Sequence, residues 1–295
     1  MSLSLTRKHT IYMKKLGITE IEAKALLMRR EIIRMIHKAQ SGHPGSSLSA
    51  TDILATLFFN EMKHDPKNPS WDDRDRFIFS KGHGVPALYA ALAINGYMPV
   101  EELLTLRQIN SRIQGHPDCR ALPGVEASTG SLGQGLSVGV GHALASRLLK
   151  KKFRTYVMLG DGECNEGQVW EAAMFASFHK LDGLCAILDY NKFQLDNSVK
   201  VVLDMHPMEE KWRAFGWAVL EINGHNTGEI LAAFEWARNV KGQPQMIIAH
   251  TVKGKGVSFM EHNNHFHGVA PNDSEFKAAM AELGEPLGHP EEMKK

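Results

Sequence analysis

Residues 155–191 read TYVMLGDGECNEGQVWEAAMFASFHKLDGLCAILDYN, and the fold is decided there. A largely apolar run over 155–159 stops at Gly160-Asp161-Gly162. Residues 166–179 follow, with Val169, Ala172, Ala173 and Ala176 at helical spacing. A second apolar run over 184–188 leads into Asp189-Tyr190-Asn191. Short, continuous apolar runs mark strands buried on both faces, and strand, helix, strand in this order is a βαβ unit of a parallel sheet. The same pattern recurs on either side. Residues 76–79 read as a short strand running into Ser80-Lys81-Gly82-His83-Gly84, and 217–222 and 245–250 as two more strands around an amphipathic helix at about 228–240. Upstream, Thr19 with Glu22 forms a capping box that opens a helix reaching about residue 37, closed by Ser41-Gly42. A second helix is indicated from about 49 to 62, with Ile53, Leu54, Leu57 and Phe58 on one stripe, then a loop over 65–75. A short helix near 273–283 ends the pattern. The reading is one α/β domain over 1–295, a mostly parallel sheet flanked by helices, with right-handed crossovers and a helical lead-in.

Composition excludes several classes. The 295 residues are 43% hydrophobic and 23% charged, and Lys plus Arg exceed Asp plus Glu by 34 − 33, a net +1. So flat a balance gives no electrostatic reason to expect nucleic acid or an anionic membrane as partner. No apolar run approaches the ~18 residues of a spanning helix, and MSLSLTRKHTIYMKK has no signal-peptide core, so a cytoplasmic location is expected. Cys119, Cys164 and Cys185 are scattered, which suits neither a disulfide framework nor a zinc ribbon. Two excesses call for explanation: 26 glycines and 15 histidines.

Open parallel sheets bind ligands beyond the carboxyl ends of their strands. Asp161 and Asn191 each follow a strand of one βαβ unit, so both emerge at the same edge on neighbouring loops. A carboxylate and an amide oxygen are hard donors that suit Mg²⁺ or Ca²⁺. Two side chains cannot fill an octahedron, so a backbone carbonyl, water and ligand phosphates would complete it. Gly160 and Gly162 allow close backbone approach, and the following helix N-terminus favours an anion. The alternative is a plain Gly-Asp-Gly turn with an Asn ending a later strand. Gly133, Gly135 and Gly139 superficially match a dinucleotide fingerprint, but 120–128 is no strand and 150–158 holds no acidic partner.

The stretch from Gly160 to Asn191 resembles the thiamine-diphosphate motif, and most closely its transketolase version. Further transketolase-like stretches occur in family order: SGHPGSSLSA (41–50), DRFIFSKGHGVPALYA (75–90), GHP (115–117), TGSLGQGL (129–136), KGKGVSFME (253–261) and HG (267–268). The resemblance implies the thiamine-diphosphate-binding fold, in its diphosphate-binding domain. It also implies what is missing: transketolases are about twice this length, and their pyrimidine-binding domain, with its catalytic glutamate, and their C-terminal domain have no counterpart here. The expectation is one subunit of a split transketolase. A partner subunit would carry the other two domains, with two copies of each chain and the cofactor at the interface. The substrates would be sugars or sugar phosphates, a ketose giving a two-carbon ketol unit to an aldose.

The resemblance assigns roles residue by residue. Asp161, Asn191 and the Phe193 carbonyl would hold Mg²⁺, with the Gly162 N–H on a phosphate oxygen. Lys81 and Lys253 would approach the diphosphate, and Gly130, Ser131 and Leu132 would line the thiazolium. His43 and His267 would handle donor hydroxyls and proton transfer at C–C cleavage, a task suited to imidazole near neutral pH. His83 would contact the cofactor and His116 the C1 hydroxyl, while Glu166 would share a proton with the partner's glutamate. His265 is the alternative to His267, and the H-x-H pair they form lacks the third ligand of a zinc site. His37, His142, His179 and His206 read as structural, and Lys150-Lys151-Lys152 as a solvated helix end. Two rival readings stand beside this one: the α chain of a 2-oxo-acid dehydrogenase, and a non-catalytic cofactor-binding or regulatory module.

Overall fold

The computed structural model describes residues 15–195 and 197–284. Strands β1 (Arg76–Phe79), β2 (Thr155–Gly160), β3 (Leu184–Tyr190), β4 (Ala218–Asn223) and β5 (Gln245–His250) form one sheet in the order β1-β2-β3-β5-β4. Every pair is parallel, not merely most of them. Successive strand residues face opposite sides. Phe77, Phe79, Tyr156, Met158, Cys185 and Ile187 belong to one core, and Ile78, Val157, Leu159, Leu184, Ala186 and Leu188 to another. Both faces are therefore dry, which is why these strands read as unbroken apolar runs.

The helices are α1 (Ile18–Ala39), α2 (Pro44–Thr56), α3 (Val85–Asn95), α4 (Gln134–Leu148), α5 (Gly167–Phe178), the one-turn α6 (Val199–Val202), α7 (Met208–Ala214), α8 (Thr227–Asn239) and α9 (Asp273–Glu282). Side chains of α1, α2, α3, α8 and α9 fill the first core, and those of α4, α5 and α7 the second. Among the described residues no helix is long and apolar enough to cross a membrane.

Several boundaries differ from the sequence reading. Helix α1 opens earlier, with Gly17 as N-cap: its N–H donates to Glu20 Oε2 at 2.9 Å, so Thr19 lies inside the first turn and caps nothing. It closes on a left-handed Gln40, before Ser41-Gly42. Helix α2 starts at Pro44, not near 49. Proline suits the first helical position, and Ser47 Oγ donates back to the His43 carbonyl at 2.7 Å within the first turn. It runs on through a π-turn, Leu57–Glu61, before Met62. Strand β3 continues through Asp189 and Tyr190, which places an aspartate inside the sheet. Helix α3 has no stripe to detect: from Val85 to Ala93 every residue is buried.

Helix α2 carries His43 at its N-terminus and is clamped from two sides. Arg29 of α1 meets Asp52 with a two-pronged contact of 2.9 and 2.6 Å, and His225 Nδ1 approaches the same carboxylate at 2.7 Å. Burial works against the Asp52 carboxylate, but Arg29 and His225 outweigh it and hold its pKa down at about 2.

Candidate active site

Because the strands are parallel, β1, β2, β3 and β5 deliver their C-terminal ends to one edge. A cavity of about 290 Å³ opens there, lined by Lys81 and His83 after β1, Asp161 and Gly162 after β2, Asn191 and Phe193 after β3, and Lys253 after β5. His43, His267, Gly130, Leu132 and Glu166 complete the part of the wall that bears chemistry.

Its floor is organised by Asp189, which sequence reasoning missed. The Asp189 carboxylate is wholly buried and ion-paired with the equally buried Lys81 ammonium. It also accepts from Ser49 Oγ at 2.6 Å, from Thr251 Oγ1, and from Asn191 Nδ2 at 3.3 Å. One carboxylate thus ties the ends of β1, β3 and β5 to α2. Burial alone would raise its pKa, yet Lys81 holds it below the ordinary carboxylate value. Lys81 lines the cavity, with its ammonium engaged by Asp189 and by the Ser46 carbonyl at 2.8 Å. Glu163, also missed, ties together a second set of loops, accepting from Ser80 Oγ, from Gly133 N–H at 2.9 Å and from Gly160 N–H at 3.0 Å. The available signal for Asp189 was an acidic residue directly continuing an apolar run, whereas Glu163 sits in a polar turn and gives none.

Asp161 and Asn191 are brought together as their spacing implied. Asp161 accepts from the Lys192 N–H, and Asn191 Oδ1 accepts from Phe193 N–H at 3.1 Å, which locks the β2 and β3 loops side by side. Burial first, and the neighbouring Asp189 second, push the Asp161 carboxyl up to about 7. A buried carboxylate beside another is a place where a divalent cation restores the balance of charge. Among the described residues no group of three or more His, Cys, Asp or Glu side chains could hold a metal. The Asp161 and Asn191 oxygens suit an ion that takes few protein ligands and relies on phosphate oxygens, as Mg²⁺ does, and the residues present fit a Mg²⁺-diphosphate. Lys253 brings a cation to the same cavity. Burial lowers its pKa to about 8, and it contacts Asn264 Oδ1 at 2.6 Å and His267 Nδ1 at 2.8 Å. The Gly162 N–H is donated to Asp161 Oδ1 at 2.8 Å, so a phosphate oxygen would have to compete for it.

Above the floor, three imidazoles converge from three distant stretches. The rings of His43 and His83 lie 5.2 Å apart, those of His43 and His267 5.6 Å, and those of His83 and His267 5.3 Å. Burial, then surrounding cations, lower all three: His43 to about 4, His267 to about 3, and His83 well below the ordinary value. At neutral pH the cavity therefore presents neutral imidazoles, each with one donor and one acceptor nitrogen. His265 is exposed, with its ring edge on Phe266, outside this cluster. His116 stands at the rim and packs on Gly130, where an added Cβ would sit 3.0 Å from its ring. Gly82 must be glycine because a Cβ there would fall 2.8 Å from the Gly130 nitrogen. Gly130 and Leu132 reach the cavity, whereas Ser131 is exposed and does not line it. Glu166 is exposed at the mouth, as the N-cap of α5.

A parallel α/β sheet with a hard-donor pair and an imidazole cluster at its carboxyl edge defines a domain of the thiamine-diphosphate-binding class. Residues 22–292 match the family described as "Transketolase, thiamine diphosphate binding domain", and the chain belongs to the transketolase family, a family of transferases. It is 47% identical over 264 residues to the 6-deoxy-6-sulfo-D-fructose transketolase subunit SqwG of Clostridium sp. (strain MSTE9), covering 90% of this chain and 96% of that one. It is 40% identical over 268 residues to an apulose-4-phosphate transketolase subunit of Phocaeicola vulgatus, with 91% and 95% covered. Human transketolase is 41% identical over 242 residues, but these span 82% of this chain and 38% of that enzyme. The solved transketolase of Leishmania mexicana superposes with a TM-score of 0.87 at 33% identity, covering 90% of this chain and 41% of that one.

Proposed function

We propose that this chain is the diphosphate-binding subunit of a two-chain transketolase that moves a two-carbon ketol unit from a ketose to an aldose. The observation that carries the reading is the cluster of His43, His83 and His267 over the Asp161–Asn191 pair. Thiamine diphosphate supplies the electron sink such a transfer needs. This chain's part is to hold, orient and move protons. Asp161, Asn191 and the Phe193 carbonyl bind Mg²⁺, and Lys253 faces the diphosphate. Gly130 and Leu132 pack on the cofactor, as does His83. His43 and His267 bind donor hydroxyls and shuttle the proton when the C–C bond breaks. His116 takes the C1 hydroxyl. Two relatives are named for sugars carrying a sulfo or phosphate group, so the donor class is a ketose with an anionic tail.

The partner subunit supplies the pyrimidine-binding and C-terminal domains, and Glu166 at the cavity mouth is the residue placed to meet its glutamate. Two copies of each chain fit a second feature. Val138 and Leu148 on α4, and Met174, Phe175 and Phe178 on α5, are exposed apolar residues at helical spacing. Within those helices a Cβ at Gly141 or Gly167 would meet nothing within 4 Å. A mid-helix glycine costs roughly 1 kcal/mol against alanine, so Gly141 has a use that lies outside the chain, such as close approach of a second copy. A cytoplasmic location goes with this reading and with three unpaired cysteines.

The test is reconstitution. The tagged chain is purified with its companion from the native host, and each is then assayed alone and mixed, with thiamine diphosphate, Mg²⁺ and a panel of sulfo- and phospho-ketoses. Ketol transfer by the mixture only is expected. Turnover by this chain alone would sink the two-chain reading, and a mixture inactive on every ketose would sink the transketolase reading.

A further inference from the structure

The two ring nitrogens of His43 face different groups. Nδ1 lies 3.4 Å from one terminal nitrogen of Arg107, whose other terminal nitrogen donates to Ser41 Oγ at 2.8 Å. A guanidinium offers donors and no acceptor, so the imidazole nitrogen opposite it can only accept. The single proton of a neutral ring must then sit on Nε2. That nitrogen points toward Gly268, where an added Cβ would stand 3.6 Å away, and into the cluster shared with His83 and His267. We propose that Arg107 is a positioning residue that fixes His43 as its Nε2–H tautomer, which makes this histidine a hydrogen-bond donor toward a sugar hydroxyl. The inference rests on the reading of the cavity as a sugar site.

Arg107 is built for one placement. Its backbone is left-handed at φ 58°, unusual for a residue with a side chain, and its N–H donates to the Ile113 carbonyl at 2.9 Å. Gly115 packs against it, and a Cβ there would stand 2.9 Å from Arg107 Nε. That Nε is buried without a hydrogen-bond partner, and among the described residues no carboxylate pairs with the guanidinium. The guanidinium is only partly buried, and what its two terminal nitrogens meet is the Ser41 hydroxyl and the His43 ring. The charged and titratable groups around His43 are Arg107, His116, Lys253, His83 and His267, and none is acidic. After burial, Arg107 is the strongest of the influences keeping the ring neutral, at a pKa of about 4. Arg107 does not itself line the cavity, so it acts through His43.

The experiment uses the full chain labelled with ¹⁵N at histidine and reads ring-nitrogen chemical shifts across pH. In the wild type, His43 should show a protonated Nε2 and an unprotonated Nδ1 down to about pH 4. In R107M the ring should populate the Nδ1–H tautomer, and its protonation midpoint should rise. R107K, which keeps the charge but not the planar fork, should hold the midpoint low while loosening the tautomer. If R107M fails to fold, S41A, which removes the other anchor of the guanidinium, is read the same way. A wild-type His43 protonated on Nδ1 overturns the inference, as does an R107M or S41A ring indistinguishable from wild type. In the reconstituted enzyme R107M should lower kcat on the order of 10- to 100-fold with KM little changed, by analogy with the loss of a partner that orients a metal-ligating histidine. Reconstituted wild type with no ketol transfer would count against the proposed function and leave the ring assignment standing on its shifts.

Discussion

The floor of the cavity and its rim follow opposite rules. On the floor, charge is answered within the chain: Lys81 by Asp189, Asp189 also by Ser49, Thr251 and Asn191, and Glu163 by Ser80 and two backbone amides. On the rim, Glu166, Ser131 and His116 are exposed, and Glu166 makes no side-chain cap to its own helix. Apart from Asp161, whose charge is left for a cation, the floor is satisfied by its own chain and is pre-organised before any ligand arrives. The rim leaves its polar side chains to solvent. Changes to the floor should therefore be felt by the isolated chain, and changes to the rim only after assembly.

The strongest challenge to that contrast is Lys81→Met. It would leave the Asp189 carboxylate wholly buried without its counter-charge, and breaking a buried pair from one side costs roughly 3 to 5 kcal/mol. Three remaining hydrogen-bond donors soften the loss, so about 3 kcal/mol is expected in urea unfolding of the isolated chain. A midpoint unchanged from wild type would mean that the floor is not held from within.

Next in size is an acid effect at the support of the floor. The Asp52 pKa is about 2 in the folded chain against an ordinary 3.8, because Arg29 and His225 outweigh its burial. A depressed carboxyl contributes stability that is present above the ordinary value and lost as pH falls through the folded one. The window is therefore about pH 4 to 2, and the contribution about 2 kcal/mol. Asp52→Asn should flatten stability against pH in that window. A wild-type curve already flat there would dissolve the clamp on α2.

What the sequence makes legible follows the same division. Strands with both faces buried announce themselves as apolar runs, so 76–79 and 245–250 read at their true bounds. The pair Asp161 and Asn191 is legible because parallel strands fix where successive loops emerge. Helix α3 is not, because a helix buried all round loses the period that identifies it. Asp189 reads as a loop residue, since aspartate is rare inside a central strand and its partner Lys81 lies 108 residues away. Arg107 gives no signal at all: its meaning lies in facing His43 across 64 residues of chain.

The exposed face of α4 and α5 tests the other half of the comparison. Phe178 is 79% exposed and Met174 53%, so replacing both by lysine should change the stability of the isolated chain by no more than about 0.5 kcal/mol. Light scattering should nevertheless show the assembly reduced to one copy of this chain. A marked loss of monomer stability would make the face part of the chain's own core.

The smallest effect on the isolated chain is expected from Glu166→Gln, and for that reason it sharpens the contrast most. The side chain is exposed, caps nothing, and lines the mouth of the cavity. Its loss of charge should therefore leave unfolding within about 0.5 kcal/mol of wild type. Calorimetric binding of Mg²⁺ and thiamine diphosphate by the isolated chain should change little, because Asp161 and Asn191 are untouched. In the reconstituted enzyme the same change removes the carboxylate proposed to share a proton with the partner, and turnover should fall on the order of 100-fold, the scale of one proton-transfer contact. A glutamine variant that turns over normally once assembled would place that contact elsewhere on the rim. One that already weakens cofactor binding in the isolated chain would show that Glu166 belongs to the floor.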